Sequence, residues 1–245
     1  MNYKLLLSYD GSRYRGWQRL GDHDMTIQGK LEDVLSRMTG SKVDVIGSGR
    51  TDAGAHALGQ VANFHCQTRL SCDEIKEYLR QYLPEDIGVI SVTAADERFH
   101  SRYNASEKTY RYRIWNADSP CVFERKYCWQ ISEDLDLDQM RDAAKMFLGE
   151  HDFLAFCSNK HFKKSSVRTI YAFEIERIGP EIICTVTGNG FLYNMVRIMI
   201  GTIVAVGKGE RPVEDIPAIF QSRVRENAAE TAPAKGLCLM EVKYQ

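Results

Sequence analysis

The chain has 245 residues, 44% hydrophobic and 27% charged, with a formal net charge of −1. This length supports a sizeable core and one large or two small domains, and the composition excludes a disordered or low-complexity protein. Seven scattered cysteines without a CxxC pair indicate neither a disulfide framework nor a zinc site.

In chain order, Tyr3–Tyr9 reads as a strand ended by the Asp10-Gly11 turn. Thr26–Met38 reads as a helix with Ile27, Leu31, Val34, Leu35 and Met38 on one face and Gly40 at its end. Strands are expected at Val43–Gly47 and Gly59–Cys66. Ser71-Cys72-Asp73-Glu74 has the spacing of a capping box and opens a helix to about Tyr82. A strand at Ile87–Thr93 completes a strand–helix–strand–strand–helix–strand order, which suits a split βαβ, ferredoxin-like unit. The second half repeats the theme loosely. Strands are predicted at Lys108–Trp115, Val167–Arg177, Ile182–Thr187 and Leu237–Tyr244, with Gly179-Pro180 as a hairpin turn. Helices are predicted at Asp136–Leu148, Phe191–Val206 and Pro212–Gln221. The expected fold class is α+β, with two ferredoxin-like (split βαβ) subdomains, a joined, mainly antiparallel sheet and flanking helices. The boundary is placed between residues 1–104 and 105–245. The start of the chain is strand-like rather than leader-like, and the 191–206 stretch is short for a membrane span and carries Asn194 and Arg197. A cytoplasmic protein without a membrane span is expected.

Charge is segregated. Residues 98–113 hold Arg98, Arg102, Lys108, Arg111 and Arg113 against the single acid Glu107, interleaved with Tyr103, Tyr110 and Tyr112. Residues 160–168 hold Lys160, Lys163, Lys164 and Arg168 with no acid, and Arg13, Arg15 and Arg19 cluster near the start. Each cluster alone reads as a solvated loop. Together they can build a basic face on a neutral protein, and rings among cations suit stacked bases. Arg13, Lys163, Lys164 and Arg168 are the candidate RNA-surface residues.

The chemistry concentrates in Gly47-Ser48-Gly49-Arg50-Thr51-Asp52-Ala53-Gly54-Ala55-His56. Its glycines are expected to take positive φ and to let the backbone approach a ligand. No Lys-Ser/Thr pair completes a P-loop, no third glycine completes a dinucleotide fingerprint, and His56 and His65 lack metal-ligand spacing. What is left is a carboxylate, Asp52, able to act without cofactor or metal as nucleophile, base or electrostatic stabiliser. The competing reading is an Asx-turn aspartate that only shapes the loop. Arg197, inside an apolar helix, needs an acidic partner, for which Asp52 is one candidate among several. Tyr110 on its strand reads by default as a packing residue.

The run from Gly49 through Ala57 with Gly59-Gln60-Val61 resembles the catalytic motif of the TruA family of tRNA pseudouridine synthases. The resemblance extends along the whole chain. It includes Tyr9-Asp10-Gly11-Ser12 with Gly16-Trp17-Gln18, Thr26-Ile27-Gln28-Gly29, Arg98-Phe99-His100-Ser101-Arg102, Lys108-Thr109-Tyr110-Arg111-Tyr112, Gly190 through Arg197, and Ala232 through Leu237. Ala55, where Val is usual, and Ser101, where Ala is common, depart from the pattern without removing a functional group. The resemblance implies isomerisation of uridine to pseudouridine at positions 38, 39 and 40 in the anticodon stem-loop of tRNA, by a homodimer, with no cofactor or metal. It implies that Asp52 is the nucleophile, that Arg50 helps extrude the target nucleotide and fills its place, and that Tyr110 stacks on the flipped uracil. Arg197 is then expected to pair with Asp52, and Leu237 to support the pocket.

Overall fold

A computed structural model describes all residues except 20, 22–24, 160–164 and 245. The strands are β1 (Asn2–Tyr9), β2 (Val45–Gly47), β3 (His56–His65), β4 (Ile87–Ala95), β5 (Ala105–Asn116), β6 (Trp129–Ile131), β7 (Gly149–Asp152), β8 (Val167–Ile178), β9 (Glu181–Gly188) and β10 (Leu237–Tyr244). The helices are α1 (Ile27–Thr39), α2 (Cys72–Tyr82), α3 (Leu137–Lys145), α4 (Met195–Gly207) and α5 (Asp215–Ser222). The class is α+β, as expected. The chain divides into two compact units, Met1–Ser106 with Cys238–Gln245, and Glu107–Leu237.

In the first unit the strand order is β4-β1-β3-β10, with β2 also paired to β3. β1 runs antiparallel to both β3 and β4, and β2 antiparallel to β3. Strands β1 to β4 with α1 and α2 thus form the expected split βαβ arrangement. Alternation along β1 buries Tyr3, Leu5, Leu7 and Tyr9, which share a core with Leu31 and Leu35 of α1 and Ile75 and Leu79 of α2. Both helices begin where the sequence indicates. Thr26 Oγ1 accepts from Gly29 N–H, and Ser71 with Glu74 forms a reciprocal capping box. Gly40 closes α1 at φ 68°. β3 starts at His56 rather than Gly59, because Tyr9 pairs with Ala57 on one side and Cys238 and Leu239 of β10 pair in parallel with His56 and Ala57 on the other. Those partners are distant in sequence, so local alternation does not reveal them.

In the second unit the order is β6-β5-β9-β8-β7, antiparallel except for β5 with β6. Tyr112 and Ile114 of β5, with Ile182, Cys184 and Val186 of β9, are fully or nearly fully buried. Helix α4 is almost entirely buried, which explains its apolar sequence. It starts at Met195 rather than Phe191, because Asn194 sits in the left-handed region at φ 62° and interrupts helical geometry. Asp136 caps α3 by accepting from Asp138 and Gln139 N–H. No helix among the described residues is long and apolar enough to cross a membrane.

Candidate active site

The Asp52 loop connects β2 to β3 and is fixed by the segment that follows β1. The Tyr9 hydroxyl, buried, is 2.8 Å from Thr51 Oγ1, and Gln60 Nε2 donates to Tyr9 Oη (3.4 Å) and to the Gly49 carbonyl (3.1 Å). Ser48 Oγ donates to Gln60 Oε1 (2.6 Å), while Ser48 N–H donates to Val61 O (2.8 Å). Ser48, Thr51 and Gln60 are buried, so these bonds are made away from water, where leaving one unmade costs most. Burial also pushes the Tyr9 phenol well above its usual ionisation range. Backbone contacts add to this. Trp17 N–H donates to Thr51 O (3.0 Å), Gly54 N–H to Tyr14 O (3.3 Å) and Gly11 N–H to His56 Nδ1 (3.1 Å).

The loop glycines match the expectation only in part. Gly54 alone among Gly47, Gly49 and Gly54 takes positive φ, at 80°, in the turn where Ala55 N–H donates to Asp52 O (3.1 Å). Gly47 makes room for protein rather than ligand: a Cβ there would lie 2.5 Å from the Trp17 indole. The tightest approach lies outside the loop, at Gly11, where a Cβ would sit 1.8 Å from Ala55 O. The loop is therefore a wedged segment, not a loose one. Within it Asp52 is half-buried, and Arg50, two residues earlier, is exposed. A carboxylate held on so constrained a backbone yet still reachable is suited to act on a bound molecule.

The remaining candidates lie in the second unit. Tyr110, on β5 opposite Val186, is 7% exposed and meets Phe191 edge-on, with ring centroids 5.1 Å apart. Arg197 stands in the first turn of α4. Its Nε donates to Ala232 O (2.7 Å) and its Nη1 to Asn194 Oδ1 (2.9 Å). Ala232 N–H returns a bond to Arg197 O (3.1 Å), and Tyr112 Oη donates to the next carbonyl, Pro233 O (2.7 Å). The strap 228–236 thus lies along α4, tying Arg197 to the stretch that enters β10 at Leu237, which is buried. Its close passage requires Gly201, whose Cβ would lie 1.9 Å from Glu230 O. An apolar helix sequence showed that Arg197 needs partners, but not that a carbonyl and an amide are among them.

The expected basic surface is uneven. Lys163 and Lys164 lie outside the described residues. Arg13 is exposed but pairs with Asp86 (3.1 Å), which also accepts from Tyr14 Oη (2.5 Å). Arg19 pairs with Asp33 and Glu32. Arg168 folds back onto the Ser165 and Val167 carbonyls, and its burial lowers the guanidinium's proton affinity. Arg113 is held between Glu124 (2.8 Å) and Glu181. The residues that fasten the Asp52 loop — Tyr9, Trp17, Ser48 and Gln60 — were not singled out as site residues. Their only sequence signal was membership of the motifs quoted above.

The tRNA pseudouridine synthase family matches residues 6–104 and 143–245, most of both units, and the chain belongs to that family. It is 51% identical over 243 residues to tRNA pseudouridine synthase A of Bacillus sp. (strain KSM-64), covering 99% of each chain. It is 46% identical, with the same coverage, to tRNA pseudouridine synthase A 2 of Bacillus anthracis. Among solved structures, a chain of a Cbf5-Nop10-Gar1 complex matches 86% of this chain and 44% of its own length, at 13% identity and a TM-score of 0.39.

Proposed function

We propose that the protein isomerises uridine to pseudouridine at positions 38, 39 and 40 of the tRNA anticodon stem-loop, in the cytoplasm and as a homodimer, with Asp52 as nucleophile. The observation that carries this reading is a half-buried carboxylate between Thr51 and Gly54, both hydrogen-bonded, and beside Ala55, under which Gly11 is wedged, in a chain of this family. A uridine in a stem hides its glycosidic bond and must be flipped, at a cost of a few kcal/mol. Arg50, exposed beside Asp52, is suited to fill the vacated space in the stack. Tyr110 supplies a ring for the extruded uracil, stacking being worth about 1–3 kcal/mol per base. Arg197 and Leu237 take the positioning roles given by the resemblance.

Attack by Asp52, on the sugar C1′ or on the base, leads to cleavage of the N1–C1′ bond. The uracil turns, C5 bonds to C1′, the C5 hydrogen leaves as a proton, N1 gains one, and the carboxylate is released. Substrate and product are isomers, so the balance closes without oxidant or reductant.

The test is tritium release from unmodified tRNA labelled at uracil C5, followed by mapping of the product. Release with pseudouridine at 38–40 supports the reading. Binding without release overturns it, and release with modification elsewhere overturns the choice of positions.

A further inference from the structure

The basic and aromatic stretch 98–113 is split by the structure. Tyr112 is buried and Arg113 is engaged by two glutamates, so both are committed to the fold, while Tyr110, also buried, belongs to the uracil site proposed above. The turn between β4 and β5 is different. Tyr103 is 74% exposed, and Arg98 and Arg102 are exposed with no ion pair among the described residues.

The turn is nonetheless rigidly built. Asn2, Asn63 and Ser101, all buried, form a polar lattice beneath it. Asn2 Nδ2 donates to the Asp96 and Phe99 carbonyls (both 2.8 Å), Asn63 Nδ2 donates to Asn2 Oδ1 (3.1 Å), and Ser101 N–H donates to Asn63 Oδ1 (2.9 Å). Ser101 Oγ donates to Ile46 O (2.5 Å) on β2, and Tyr244 Oη donates to Ser101 O (2.7 Å). Above this base, His100 Nδ1 accepts from the N–H groups of Arg102 (3.2 Å) and Tyr103 (3.3 Å). The Tyr103 ring then rests on the His100 ring, centroids 4.2 Å apart and planes tilted by 33°. One face of the tyrosine is backed by protein and the other is open. A large aromatic so oriented has little freedom left to lose on binding.

We propose that this turn is a nucleotide platform for the tRNA substrate: an unpaired base stacks on the open face of Tyr103, and Arg98 and Arg102 neutralise the flanking phosphates. The inference rests on the proposed tRNA reading and adds a contact outside the catalytic loop. Unstacked bases are what RNA-binding proteins place on aromatic rings, and guanidinium groups carry the phosphate term. Ser101 is bonded to Ile46, six residues before Asp52, a chain path of at most about 20 Å. That is roughly six stacked nucleotides at about 3.4 Å each, so the platform serves a nucleotide near the target uridine rather than a distant arm of the molecule.

The experiment measures tRNA affinity by filter binding between 50 and 200 mM salt, and KM and kcat by tritium release, for the full-length protein. Tyr103→Ala is expected to raise Kd and KM by about 5- to 150-fold with kcat within about twofold and an unchanged melting temperature. Tyr103→Phe is expected to restore affinity and Tyr103→Leu to fail, because the ring face rather than apolar area is used. Arg98→Gln and Arg102→Gln are each expected to lower the slope of log Kd against log salt by about 0.7–0.9. Affinity of Tyr103→Ala within twofold of the parent, equal rescue by leucine, or an unchanged salt slope would overturn the platform; rescue by leucine would assign the surface to an apolar partner instead. Absence of tritium release from the parent protein would overturn the catalytic reading alone, since the filter-binding arm still judges the platform.

Discussion

The Asp52 loop and the 96–104 turn belong to the same unit, and both are anchored to β2 and β3, yet they are held in opposite ways. In the loop, fixation reaches the tip: Thr51 is bonded by side chain and backbone, Gly54 by backbone, and Gly11 is wedged under Ala55. In the turn, fixation holds the backbone through Asn63, Ser101 and His100 and backs one face of Tyr103, while the other face and the Arg98 and Arg102 side chains are left exposed to solvent. The difference follows from the task proposed for each. A nucleophile misplaced by an ångström loses orders of magnitude in rate, whereas a stacking ring and flexible cations retain most of their value over a range of poses. The loop is built for position and the turn for contact.

The largest expected effect tests whether the loop is chemical at all. Asp52→Asn should reduce tritium release to background while leaving tRNA affinity near that of the parent, because charge is lost but shape is kept; normal turnover would make the loop merely structural. Next comes the wedge. Gly11→Ala drives a methyl group into the Ala55 carbonyl and should cost about 1–3 kcal/mol of stability, read in a denaturant melt, with a parallel fall in kcat. An unaffected protein would mean that the close fit is dispensable.

Tyr9→Phe sharpens the comparison further. Removing a buried hydroxyl that bonds Thr51 and Gln60 should cost about 1 kcal/mol and lower kcat severalfold with KM unchanged, whereas Tyr103→Ala moves KM alone. The same variant has a pH signature. The folded-state pKa of Tyr9 is raised, so its stabilising contribution is complete below about pH 10 and declines as pH rises above it, when the unfolded chain ionises first. Tyr9→Phe should therefore lose stability less steeply above pH 10 than the parent, measured by melts at pH 8 to 11. The smallest effect belongs to Ser71→Ala, which removes the α2 capping box. It should cost about 1 kcal/mol or less and leave kcat and KM untouched. A change in kcat there would show that any loss of stability reaches the loop, and would blunt the kcat argument for Tyr9.

Much of this was legible before folding. Thr26, Ser71, Asp136 and Gly40 mark helix ends by chemistry that acts over three or four residues, and each does so in the structure. Family membership was equally legible, because its motifs are distributed along the chain. The sequence reading does not include strands β6 and β7, short segments of three and four residues that become strands by pairing with β5 and β8. Asn194 misled the reading of α4, because an asparagine in the left-handed region ends a helix that its apolar neighbours would extend. The partition of the basic clusters was invisible as well, since Asp86, Glu124 and Glu181 are remote in sequence from some or all of the cations they engage.

The sequence by itself determined the α+β class, the capped helices, the carboxylate on a glycine-bearing loop and the family, all of which depend on local patterns or on motifs kept in order. The tertiary structure alone decided that Gly47 and Gly11 serve protein packing, that Tyr9 and Gln60 hold the loop, that β10 returns to pair with His56 and Ala57, and that Tyr103 stands open while Tyr110 and Tyr112 are buried. The physical reason is common to all of these. Close approach, long-range pairing and burial depend on which distant segments meet, and no spacing along the chain encodes that directly.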